Sequence, residues 1–483
     1  MFTSKTLPLT RSLPSVLAAL AIACSSDGER RSPAPGVNSS AAPTSDGIPN
    51  LGGATNASNP GGGSNAGGSN AGDANAGGAT LGGAAPIPSA PLVAGAGPST
   101  GGTSGSTAGD INGAGFGNSG GDGTAAGDAG VGVDSDADGL PDSVERNTHV
   151  FHDENDTGTD PLDWDSDDDG ISDGDEVLPT VDGLNLAKMG TNPLHKDILI
   201  EYDWFDDSDE CAAHSHRPTP AALGTISATF AASPVRNPDG TAGIHVIHDY
   251  GQGGLFNGGN RINDADALVD RGIYGSEFAR YRSQNFAHNR QGYFHYALLP
   301  HRYTYFDDEA RVWRDDSTGQ ADILGDSLLV ALDCAHGDFD VASTIVHELG
   351  HNLNLRHGGD TDTNNKPNYN SIMNYWYQFS GVDTNCTPDG DGVIDYSHNQ
   401  RIALNEAALD ERQGICGTSA WDWNNNGKLE ARIAVDLNDD GVNEVLSDHD
   451  DWSAILLDWH GPPSIAKKVE GPRQIATCAG TRR

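Results

Sequence analysis

His347-Glu348-Leu349-Gly350-His351-Asn352-Leu353-Asn354-Leu355-Arg356-His357 is the stretch whose reading decides the fold. An α-helix has about 3.6 residues per turn, so His347 and His351 lie on one face, one turn apart. That is the H-E-x-x-H spacing by which one helix offers two imidazoles to a zinc ion. Glu348 projects differently and can reach a metal-bound water without ligating the metal. His357 follows His351 by six residues, and an unbroken helix would carry it away from the metal. The chain must therefore turn, and Asn354 suits the turn because asparagine tolerates the left-handed conformation that ends helices. His347, His351 and His357 then supply three nitrogens and leave a fourth position open, the mark of a catalytic rather than a structural zinc site. A helix with surface histidines is the plainer alternative, and the spacing of the third histidine argues against it.

Working outward, 197–204 alternates like a strand, 218–232 has helical character, and 243–248 is again strand-like. A glycine-rich loop at 251–259 leads to an expected helix over 277–285. Segments 292–299 and 327–333 are strand candidates, and a helix over 339–354 carries the histidines. Strands alternating with two long helices predict an α/β domain.

Downstream stands Ser371-Ile372-Met373-Asn374-Tyr375, sixteen residues beyond His357 at the methionine. With the histidine motif, this resembles the metzincin metallopeptidases, whose pattern is H-E-x-x-H-x-x-(G/N)-x-x-H followed by a Met-turn. The resemblance covers roughly 196–379. It implies an α/β (α+β) catalytic domain with a mixed twisted sheet and an active-site helix, here spanning 196–465. It also implies a zinc endopeptidase with Glu348 as general base and Met373 packed under the zinc ligands. Tyr375 stands two residues after the methionine, where astacins and serralysins place a tyrosine that approaches zinc, which implies oxyanion stabilisation.

Between Asp134 and Asp182 there are eighteen acidic residues against one basic, Arg146. Asp134, Asp136, Asp138, Gly139, Asp142 and Glu145 fill positions 1, 3, 5, 6, 9 and 12 of a calcium loop. Asp165, Asp167, Asp169, Gly170, Asp173 and Glu176 do so again, 31 residues later. Hard oxygen ligands at alternate positions wrap a calcium ion, and the glycine permits the tight turn. A solvated acidic linker is the plainer reading. The run from Thr159 resembles a thrombospondin type 3 repeat, which implies a calcium-stiffened spacer over 134–195. Further on, Asp389, Asp391 and Asp395, then Asp422, Asn424, Asn426 and Gly427, then Asp436, Asn438, Asp440, Gly441 and Glu444 look like partial loops. None has the full set, so calcium and plain acidic turns stand as equal readings. A C-terminal helix is expected over 449–459, and 466–483 reads as a flexible basic tail.

The chain of 483 residues has a formal net charge of -41, which excludes a general nucleic-acid binder and disfavours an anionic membrane surface. Lys5 and Arg11 precede an apolar run over 16–23, a secretory signal (1–23) too short to span a bilayer. Ala21 and Ala23 fit an ordinary cleavage site, while Leu20-Ala21-Ile22-Ala23-Cys24 resembles a bacterial lipobox that would lipidate Cys24. Either way the protein is expected to be exported, as an outer-membrane lipoprotein or extracellular. Residues 24–133 are rich in Gly, Ala, Ser and Asn and cannot bury enough apolar surface to offset their ordering entropy, so a disordered linker is expected. Of the six cysteines, Cys386 and Cys416 could close a loop. Cys211 with His214 and His216 has weak metal spacing and reads as a surface loop. His245, His248 and His336 read as structural.

The expected cofactors are catalytic Zn2+ and structural Ca2+, the partner a protein or peptide substrate, the state a monomer. Two rival readings remain: an inactive calcium-dependent adhesion or binding protein, and a zinc hydrolase of cell-wall peptides.

Overall fold

The computed structural model describes residues 132–459, except 209, 210, 265, 308, 309 and 335, together with the strand backbones of Ile22–Ala23 and Gln474–Cys478. Nearly all of the expected signal segment and linker, Cys24 included, and most of the tail lie outside the described residues.

The core strand is β1 (Asp197–Asp207), followed by the short β2 (His214–Ser215) and helix α1 (Pro220–Ala231). Then come β3 (His245–Asp249), α2 (Ser276–Asn285), β4 (Phe294–Leu299), β5 (Gly319–Ile323), β6 (Ser327–Val330) and α3 (Asp338–Asn352). The backbone of Gln474–Cys478, part of the expected tail, forms β7. The sheet runs β7-β5-β6-β4-β1-β3. β6, β4, β1 and β3 are mutually parallel, while β5 is antiparallel to both β6 and β7. Ile22–Ala23 lies parallel along β7. A mixed sheet with few helices is an α+β arrangement.

The alternation read in 197–204 is only half of what β1 does, because every residue from Asp197 to Phe205 is buried. Ile198, Ile200, Tyr202 and Trp204 face the layer holding α1 and α3, with Ile226, Phe230, Ile345 and Leu349 in the same core. Leu199 and Phe205 face the opposite core with Phe278, Tyr281 and Tyr296. Both faces of the sheet are covered, so polar residues of β1 are also interior. On the second face Arg290 serves two buried acids, Glu201 Oε2 at 2.7 Å and Asp249 Oδ2 at 2.6 Å.

α1 starts where its sequence says it should. Pro220 stands at its first turn, and the Thr219 side chain accepts the Ala222 amide at 3.1 Å. The helix expected over 449–459 is only one turn, Asp451–Ala454, capped by Asp450 and ended by extended Ile455. Two disulfides, Cys211–Cys334 and Cys386–Cys416, suit an exported chain. Only the second was suggested by the sequence. Among the described residues no helix is long and apolar enough to cross a membrane.

Candidate active site

α3 ends as the sequence predicts. Asn354 takes the left-handed conformation at φ 77°, its amide donates to His351 O at 2.9 Å, and Leu355 donates to Gly350 O at 2.8 Å. This double closure is a Schellman cap. It reverses the chain and delivers His357 to the helix face. One ligand nitrogen from each of His347, His351 and His357 lies within 4.8 Å of the others, and all three residues are buried.

The imidazoles are oriented from behind. His347 Nδ1 sits 2.8 Å from Ile372 O and His351 Nδ1 2.8 Å from Leu355 O. A ring whose Nδ1–H is held by a carbonyl presents its Nε2 lone pair outward. Burial pushes His347 down to about 4, and His351 and His357 well below the ordinary histidine range, with neighbouring imidazoles adding to the effect for these two. Neutral imidazoles are what a metal needs, so the donor set fits zinc.

Two glycines make room. A Cβ on Gly350 would collide with Met373 Sδ, so the glycine of the motif is what lets the buried methionine sit against the helix. Ser371 Oγ accepts the Met373 amide at 3.1 Å, and the Ile372 amide donates to Asp395 O at 3.0 Å, fixing the turn. A Cβ on Gly319, in β5, would collide with the Glu348 carboxylate. Sequence reading did not find β5, whose Gly-Gln-Ala-Asp-Ile looks like no strand by propensity. Nor did it find buried Asn352, whose Nδ2 donates to Asp322 O at 2.7 Å and Ser327 O at 3.1 Å, tying α3 to the β5–β6 hairpin. Tyr375 is half-buried, its ring 4.7 Å from that of His357 and 5.8 Å from that of His347.

The two acidic loops make the same tight turn at their glycines. Gly139 and Gly170 have φ of 104° and 94°, and their amides reach Asp134 Oδ2 at 3.3 Å and Asp165 Oδ2 at 2.8 Å. Asp134, Asp136 and Asp138 converge, as do Asp165, Asp167 and Asp169, while Asp173 of the second loop joins Asp138 and Glu145 of the first. Asp142 and Asp173 both brace their loops, accepting the amide and hydroxyl of Ser135 and Ser166. Buried oxygens of Asp136, Asp138, Glu145 and Asp167, and both of Glu176, have no hydrogen-bond partner. Burial pushes Glu145 up to about 7 and Asp173 to about 8, and raises Asp167, Asp169 and Glu176 well above the carboxylate range. Such an oxygen cage fits a hard cation.

Two of the partial loops make the same first turn, the Gly427 and Gly441 amides donating to Asp422 Oδ2 at 2.7 Å and Asp436 Oδ2 at 2.8 Å. Glu406 accepts the Leu437 and Glu444 amides at 2.5 and 3.0 Å, Glu411 accepts the Trp423 and Glu430 amides, each at 2.8 Å, and Arg401 lies 2.7 Å from Asp383. Backbone amides and an arginine answer these three carboxylates beside the partial loops. The chain thus offers several His/Asp/Glu groups able to hold metal ions. No family model, curated protein or solved structure matches the chain.

Proposed function

We propose that this chain is an exported zinc endopeptidase of the metzincin kind, with calcium as structural support upstream. The observation that carries the reading is the convergence of His347, His351 and His357 above Met373, with Glu348 on the same helix beside Gly319. Zinc, when bound, supplies polarisation of a water and of the scissile carbonyl. Glu348 takes the proton of that water and later delivers it to the leaving amine. The Tyr375 hydroxyl steadies the oxyanion by hydrogen bonding. Export, by secretion or through a lipid on Cys24, is supported by the two disulfides.

Glu348→Ala tests the chemistry. Casein or gelatin cleavage should fall by about 100-fold or more while bound zinc is unchanged. A fully active variant overturns the mechanism. Wild-type protein that leaves casein intact but cuts cell-wall peptides would reassign the substrate class.

A further inference from the structure

A second group of imidazoles converges away from α3. β1 ends on Asp207, β2 carries His214 and precedes His216, and β4 precedes His301. One ligand atom from each of Asp207, Cys211, His214 and His301 lies within 4.8 Å of the others. Cys211 is bonded to Cys334, so its sulfur is no thiolate, which leaves Asp207, His214 and His301 of that group; His216 lies beside it. His216 Nε2 lies 3.2 Å from His301 Nδ1. Two nitrogens each about 2.0–2.1 Å from one tetrahedral ion stand about 3.4 Å apart, close to that spacing. Asp207 Oδ2 is 3.9 Å from His301 Nδ1. The rings of His214, His216 and His301 are 4.6, 5.3 and 5.5 Å apart. The corresponding separations among His347, His351 and His357 are 4.8, 5.0 and 5.3 Å. The two trios have nearly the same span.

Outer contacts and exposure complete this geometry. His214 Nδ1 is 3.0 Å from Ala212 O, the outer contact that orients a ligating imidazole, while Nε2 faces the Asp333 carbonyl at 3.3 Å, a contact that a bound ion would replace. The His216 ring is flanked by those of His214 and His301. His301 and Asp207 are buried, while His214 and His216 are half-buried, which gives an ion a way in.

We propose that Asp207, His214, His216 and His301 form a second transition-metal site, three nitrogens and one oxygen, that takes zinc or a similar borderline divalent ion. Four protein ligands fill a tetrahedral shell, so this site is structural: it clamps the ends of β1 and β4 and the β2 segment together. It is independent of the peptidase reading.

The test is a count of zinc per chain on the intact, non-reduced, calcium-saturated protein, by elemental analysis after desalting. Wild type should hold two, His216→Ala/His301→Ala one, and His351→Ala one. His214→Ala, at a half-exposed position that folding tolerates, should weaken the second equivalent by about tenfold or more in competition with a chromogenic chelator. Cobalt titration of His351→Ala should give the visible bands of a tetrahedral nitrogen-ligated ion. The proposal is overturned if the double variant keeps both equivalents, if wild type holds a single zinc that leaves with His351→Ala, or if the second appears only after reduction and vanishes in Cys211→Ser.

Discussion

The helix site and the acidic loops both gather ligands, yet they are finished to different degrees. Around α3, the two histidines of the motif are held from behind by backbone carbonyls, and the glycine between them is filled by Met373. In the loops, buried carboxylate oxygens of Asp167 and Glu176 have nothing to accept from. Nitrogen ligands can be neutral and so can wait in a folded, dry site. Carboxylates packed together cannot, because each buried charge raises the cost of the next. The difference supports the proposal that a metal at the helix would add chemistry, whereas a metal in the loops would add structure.

The largest effect that would break this comparison concerns catalysis. Glu348→Gln should lower peptide hydrolysis by about 100- to 10,000-fold with unchanged circular dichroism, and a matching loss of helix signal would refute a purely chemical role. Next comes selective chelation. EGTA should make 132–196 at least about tenfold more sensitive to an added protease, while 1,10-phenanthroline stops activity and leaves that segment protected. Equal protection under both chelators would erase the distinction. Gly350→Ala should then cost about 1–3 kcal/mol, read as a lower midpoint of thermal unfolding, because its Cβ displaces Met373. Calcium affinity in that variant should not change.

The smallest effect supplies a reference away from both sites. Burial pushes Glu201 up to about 8, against the pull of Arg290 and with the push of Asp203 and Asp249. A carboxyl whose folded pKa is raised contributes stability fully present below its unfolded value near 4.5 and lost as pH rises through about 8. Thermal stability should therefore decline from pH 6 to 9 even with both metals chelated, and Glu201→Gln should flatten the slope. An unchanged slope assigns the pH dependence elsewhere.

Much of this was legible in the chain. The helix with its histidines, the Asn354 turn and the paired acidic loops were readable because each rests on local spacing, which backbone geometry converts directly into position. β5 was not, since its strand character comes from pairing with β6 and β7 rather than from Gly-Gln-Ala-Asp-Ile itself. The Gly319–Glu348 approach was hidden for the same reason. The Cys211–Cys334 pair spans 123 residues and leaves no local signature; Cys211, His214 and His216 gave only a weak one, read as a surface loop, because His301 reaches them from the end of β4. Propensity overestimated the helix over 449–459, where Asp451 is spent on Tyr369 and Ser397.

The Cys211–Cys334 bond closes a covalent ring around α1, α2 and strands β2 to β6, and leaves α3 outside it. A single backbone cut anywhere within the ring therefore cannot release a fragment. A chain nicked in the exposed turn at Gly253–Leu255 would run as one band before reduction and as two after it. While the disulfide is intact, such a cut is a scar and not a severance.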